Sequence, residues 1–116
     1  MKYTKGLVSV IVPTYKRSSK LKRAINSILN QTYKNIELIV VNDNTPNDLY
    51  SEQLYLIIKE INDNRFFFIE QEKHVNGAAA RNVGIKYAKG EFISFLDDDD
   101  YWELNKLEKQ INYLMH

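Results

Sequence analysis

Near the end of the chain, residues Ser94 to Trp102 read SFLDDDDYW, four consecutive carboxylates behind an apolar run. One aspartate there suits a helix start, where the helix dipole favours negative charge. Four in succession go beyond capping, because each added charge raises the repulsion within the loop. A divalent cation removes that cost. Oxygen ligands select Mg²⁺, Mn²⁺ or Ca²⁺ over zinc, and magnesium-like ions commonly combine one or two carboxylates with substrate phosphates. Within the run, Asp97 and Asp99 have a D-x-D spacing that an extended backbone turns to one side.

Other residues could do chemistry with such an ion. Asp43, in VVNDN, follows an apolar run; it suits a turn, or it accepts a hydrogen bond from a ligand's ring N–H or ribose hydroxyl. Tyr15, in PTYKR, is either surface cover or a flat ring for a nucleobase, a stack worth about 1–3 kcal/mol in comparable settings. Arg81, in NGAAARN, faces solvent or reaches a diphosphate through its fork of donors. Asn76-Gly77 taken alone is a turn signal. His74 and His116 have no ligand-like spacing, and Trp102 reads as core or rim.

The elements that must position these residues alternate regularly. Apolar β-branched or aromatic runs at 7–12 (stopped by Pro13), 36–41, 65–71 and 91–96 read as buried strands. Between and after them lie helical stripes. The first is Leu21, Ala24, Ile25, Ile28 and Leu29, with Ser18 or Ser19 as N-cap. The second is Tyr50, Leu54, Ile57, Ile58 and Ile61. The third is Ala80, Val83, Gly84 and Tyr87, closed by Gly90 just past its end. The fourth is Leu104, Leu107, Ile111 and Leu114. This β-α alternation predicts an α/β fold, a mainly parallel sheet with helices on both faces. Right-handed crossovers then bring the carboxyl ends of all strands to one edge, where ligands bind in open sheets. PTYKR, NDNTP, QEKHVNGAAARN and DDDDYW all fall on that rim.

Composition narrows the partners. The 116 residues carry 16 basic and 15 acidic side chains, a net charge of +1, which gives no electrostatic case for nucleic acid or a membrane surface. There is no cysteine, hence no disulfide framework and no thiolate metal site, in keeping with a cytoplasmic location. The apolar run before Pro13 is too short for a signal-peptide core or a membrane span.

Taken together, VSVIVPTYKR, AINSILNQTYKNIELIVVNDN and NGAAARNVGIKYAKGEFISFLDDDD resemble the start of a family 2 glycosyltransferase of GT-A fold, in order and spacing along nearly the whole chain. The resemblance implies a Rossmann-like half that binds a nucleotide-diphosphate sugar, most often a UDP-sugar, with Mn²⁺ or Mg²⁺ on the pyrophosphate. It implies that Pro13, Thr14 and Tyr15 line the nucleoside pocket, that Asp43 holds the base, and that Asn76 and Arg81 lie beside the nucleotide. Asp99 and Asp97 are implied as metal ligands, with Asp97 or Asp98 touching ribose or the metal's water shell. NDNTP departs from the family's usual D-D-G-S, Asn42 standing for an acidic residue. Family members run well beyond this length, and their later half supplies the acceptor site and the general base. Residues 1–116 are therefore expected to be the donor-binding half, without an acceptor half or catalytic base. The acceptor is expected to be a saccharide or lipid-linked molecule, within polysaccharide biosynthesis, and an unfinished sheet is expected to promote self-association. Two other readings stand beside this one: a noncatalytic nucleotide- or protein-binding module, and a Mg²⁺-dependent receiver- or phosphatase-like domain. The latter needs a carboxylate where the first strand here ends in Pro-Thr-Tyr.

Overall fold

The computed structural model describes residues 3–16, 19–71 and 75–115; Ser18, His74 and His116 lie outside them. Its strands are β1 (Thr4–Thr14), β2 (Ile36–Asn42), β3 (Phe66–Glu70) and β4 (Gly90–Phe95). The helices are α1 (Leu21–Leu29), α2 (Leu49–Ile58), α3 (Gly77–Tyr87) and α4 (Lys106–Met115). All strand pairs are parallel, in the order β3-β2-β1-β4. The alternation expected from the sequence is thus the one that forms.

Period-2 side-chain alternation divides the core into two layers. Val8, Val10, Val12, Leu38, Val40, Phe66 and Phe68 meet α1, α2 and α4 on one face, with Trp102 and Leu96 closing that layer. Ile11, Ile39, Val41 and Ile69 meet Ala80 and Val83 of α3 on the other. Helix α3 approaches closely because Gly84 lacks a side chain: a Cβ there would stand 2.5 Å from Ile11 Cγ2.

Several local expectations change. Helix α1 is opened by Lys20 with no side-chain cap, so Ser19 is not its N-cap. Gly90 does not terminate α3, which ends at Tyr87 with Ala88 as C-cap. It opens β4 instead, where its N–H donates to Ser9 Oγ at 2.8 Å. A Cβ on Gly90 would lie 2.7 Å from the Leu7 carbonyl oxygen, so close strand approach is what requires glycine there. Strand β1 also runs through Pro13 rather than stopping at it. The Ile11 carbonyl bonds Leu96 on the β4 side, whereas the Thr14 carbonyl accepts from Asp43 N–H on the β2 side. Pro13 therefore turns its missing N–H toward β4, whose pairing has already ended at Ile11 and Phe95. The proline interrupts no ladder bond.

Candidate functional site

The chain reverses direction across the sheet between β1 and β4. From β1 it proceeds outward to β2 and β3, and from β3 it crosses back over α3 to β4 on the far side of β1. The carboxyl ends of β1, β2 and β4 and the start of α3 meet at one edge of the sheet, where ligands bind in open sheets. A cleft of about 210 Å³ lies there, lined by Pro13, Thr14, Tyr15, Asp43, Gly77, Arg81, Asp97 and Asp98. Seven of these were read from the sequence as site residues. The other two, Asn76 and Asp99, do not line the cleft, although Gly77 beside Asn76 does. Asn76 caps α3, its side-chain oxygen accepting from Ala79 N–H at 2.8 Å.

Each wall has a local cause. Asp98 is buried, and its Oδ2 accepts from Thr14 Oγ1 at 2.9 Å and from Tyr15 N–H at 3.3 Å. It fastens the acidic loop to the end of β1. Asp43, only 1% exposed, donates its N–H to the Thr14 carbonyl at 2.9 Å, and its Oδ1 accepts from Val75 N–H at 3.3 Å. The segment before α3 is thereby tied to the β2 loop. Lys16 takes a left-handed conformation, φ 61°, held by Asn44 Oδ1 on its N–H at 2.8 Å. Such backbone is uncommon outside glycine and concentrates at functional loops. The Lys16 ammonium then stands 5.2 Å from the Tyr15 ring centroid and 5.6 Å from that of Tyr50.

The acidic run is a turn rather than an extended D-x-D. Asp100 N–H donates to the Asp97 carbonyl at 3.1 Å, so Asp98 and Asp99 occupy the turn's centre. Extension stops because the last ladder bond of β4, Leu96 N–H to the Ile11 carbonyl, falls just before it. Asp97 is exposed, Asp98 buried and Asp99 half-buried. Arg81 Nη2 lies 3.7 Å from Asp97 Oδ1, and Arg23 Nη2 donates to the Asp99 carbonyl at 3.2 Å while lying 4.5 Å over the Tyr101 ring. Among the described residues no three His, Cys, Asp or Glu side chains gather as a metal cage. Asp97 and Asp99 on one tight turn fit the other arrangement, one or two carboxylates sharing a hard cation with a bound phosphate. Trp102 packs in the core, with the Lys106 ammonium 4.2 Å from its ring centroid. Burial there holds the Lys106 pKa below the usual lysine value.

Some contributors were not read as site residues from the sequence. Asn42 is fully buried: its Nδ2 donates to Ser51 Oγ at 2.9 Å and its Oδ1 accepts from Asn44 N–H at 2.9 Å. It shapes the loop that carries Asp43, so the departure from an acidic residue there serves the frame of the site. Asp48 caps α2 by accepting from Ser51 N–H at 2.8 Å.

Comparison with known proteins bears on the same geometry. The sequence profile of the family described as Glycosyl transferase family 2 matches residues 9–116. The chain belongs to this family. It is 40% identical over 109 residues to the Escherichia coli UDP-Glc:alpha-D-GlcNAc-diphosphoundecaprenol beta-1,3-glucosyltransferase WfgD, covering 94% of this chain and 41% of that protein. A second Escherichia coli enzyme described in the same words, WfaP, is 39% identical over 93% of this chain and 41% of its own length. The chain thus spans about two-fifths of these relatives. Among solved structures, S. aureus TarS 1-349 in complex with UDP superimposes with a TM-score of 0.79 at 30% identity, over 99% of this chain and 32% of that one. The GT-A, Rossmann-like arrangement expected from the sequence is the fold of this family 2 chain.

Proposed function

We propose that this chain forms the donor-binding part of a glycosyltransferase that transfers a sugar from a nucleoside-diphosphate sugar, a UDP-sugar, to an acceptor hydroxyl. The observation that carries the reading is the cleft at the carboxyl ends of the strands, which brings Tyr15, Asp43, Arg81 and Asp97 together. Tyr15 with Pro13 and Thr14 forms the nucleoside wall, and Asp43 accepts from the base. Arg81 and the first turn of α3, capped by Asn76, face the diphosphate, as a helix N-terminus and a guanidinium both suit. Asp97 and Asp99 hold Mn²⁺ or Mg²⁺, which when bound stabilises charge developing on the departing diphosphate. Asp98 keeps its neighbours in place and sits within reach of the ribose. UDP in the TarS structure and UDP-Glc in the names of the Escherichia coli relatives favour uridine over other bases. Those names also favour a lipid-linked saccharide acceptor and polysaccharide assembly. No helix among the described residues is long and apolar enough to cross a membrane, and we place the domain on the cytoplasmic side.

The test is calorimetric titration with UDP, GDP, dTDP and CDP, in Mn²⁺ and in EDTA. UDP is expected to bind best and more tightly with Mn²⁺, and Asp99→Asn is expected to remove most of that difference. Equal UDP affinity in EDTA sinks the metal assignment; no nucleotide binding sinks the donor site.

A further inference from the structure

Arg81 stands where its charge is not at home. It lies four residues after Gly77 on α3, and helical side chains lean toward the N-terminus. Its Nη1 accordingly lies 3.7 Å from where a Gly77 Cβ would be, over the first turn of the helix. That turn presents the positive end of the helix dipole, which disfavours a cation and favours an anion. The anion beside it is Asp97, with Nη2 to Oδ1 at 3.7 Å. This is an ion pair without hydrogen-bond contact, since charged N–H···O bonds close to about 2.7–2.9 Å. Both partners are open to water, 43% and 66% exposed, so the pair is weak and readily exchanged.

We infer that Arg81 changes partner during donor binding: it neutralises Asp97 in the nucleotide-free chain and passes to the diphosphate, releasing Asp97 to the cation. The inference rests on the donor site proposed above and deepens it. In the nucleotide-free chain the guanidinium competes with a divalent ion for one carboxylate, which keeps metal affinity low. A diphosphate offers the guanidinium oxygens at bonding distance and faces the same helix N-terminus, so the arginine gains by moving. Asp97 then carries an uncompensated charge beside the phosphates, and a cation between them removes both repulsions. The metal and the nucleotide therefore enter as a pair, although neither replaces the other's ligands.

The consequence is opposite in sign to ordinary loss of a binding residue. Arg81→Gln is expected to bind Mn²⁺ about two- to fivefold more tightly without nucleotide, the range expected from a weak surface ion pair. The same variant is expected to lose about tenfold or more in UDP affinity with Mn²⁺ present, the loss of charge-assisted bonds to phosphate. Arg81→Lys retains the charge without the fork, so its nucleotide-free Mn²⁺ affinity should stay near the parent's while UDP binding falls. Free Mn²⁺ is read by electron paramagnetic resonance in titrations of the 116-residue chain, UDP by calorimetry, and folding of each variant by circular dichroism. If the parent chain fails to bind UDP with Mn²⁺, the donor reading itself fails. If the parent binds UDP but Arg81→Gln leaves nucleotide-free Mn²⁺ affinity unchanged or weaker, the competition is overturned. Unchanged UDP affinity in Arg81→Gln overturns the transfer to phosphate.

Discussion

The hydroxyl of Thr14 donates to the carboxylate of Asp98 at 2.9 Å, joining the end of β1 to the acidic turn across 84 positions of sequence. Both residues are buried, and the same carboxylate oxygen holds the Tyr15 N–H. Thr14→Val preserves shape and removes the donor. It should cost about 1–3 kcal/mol, because a buried charged acceptor loses a partner. Uridine should bind less tightly to the variant, since Tyr15 loses its register with the turn. Urea denaturation and calorimetry measure the two effects; an unchanged midpoint would show that the bond contributes nothing net.

Asp43 gives a sharper separation of roles. It is buried at the end of β2 and lines the cleft from the side opposite the acidic turn. Asp43→Ala should weaken UDP and uridine by similar factors, since its proposed partner is the base, and leave the ratio of UDP affinity in Mn²⁺ and EDTA intact. Its hydrogen bond to Val75 N–H makes Asp43→Asn the gentler companion, as the amide oxygen can still accept there. Loss of the Mn²⁺ effect with uridine binding spared would reassign Asp43 to the metal.

How much of this was legible follows from the range of the interactions involved. The four strand ends could be read because apolar runs and their polar successors are local patterns, and parallel crossovers carry them to one rim. The individual geometry could not. That Asp98 faces inward while Asp97 faces Arg81 depends on a turn closed by the Asp97 carbonyl and on bonds to β1, all set by tertiary packing. Gly90 was read as the stop of α3, whereas it opens β4, and what requires glycine there, the approach of Ser9 and Leu7, comes from a strand more than 80 residues earlier. Arg23 on α1 gave no signal at all. Its link to Asp99 and Tyr101 exists only because α1 packs against the loop after β4.

A second prediction on stability concerns the opposite pole of the sheet. Arg65 donates to both carboxylate oxygens of Asp63 and to the carbonyls of Leu29 and Lys34, clasping the entry to β3 against the end of α1. The Arg65 hydrogen bond is the chief cause that holds the Asp63 pKa down at about 2, from an ordinary value of 3.8. A carboxyl depressed in the folded state stabilises it fully above its unfolded pKa and loses that contribution as pH falls through the folded one. The window is therefore about pH 4 down to about pH 2. The side chain is a quarter exposed, so the contribution is on the order of 1–2 kcal/mol. Asp63→Asn should flatten the acid limb of the stability curve within that window, measured by urea denaturation at successive pH values. A parallel limb in the variant would mean that another carboxylate controls acid unfolding.

The last prediction arises from what the sheet leaves uncovered. Among the described residues strand β4 is an edge that pairs only with β1, and on the α3 face its Ile93 and Phe95 remain 43% and 41% exposed. Phe67 on the opposite edge strand and Tyr113 and Leu114 on α4 add exposed apolar surface. A groove between β4 and α4 joins two of these areas, lined by Phe92, Ile93, Leu107, Ile111, Tyr113 and Leu114. An unpaired strand edge beside an apolar surface is a template for association with another chain. The 116-residue chain should therefore show a weight-average mass that rises with concentration in sedimentation equilibrium. Ile93→Lys should reduce the rise, because a charge on an edge strand opposes edge-to-edge pairing while this position is already open to water. The same substitution should leave UDP affinity unchanged, since Ile93 does not line the cleft at the strand ends. A monomer at every concentration for the parent chain would show that the exposed edge is adequately protected by water and local twist alone.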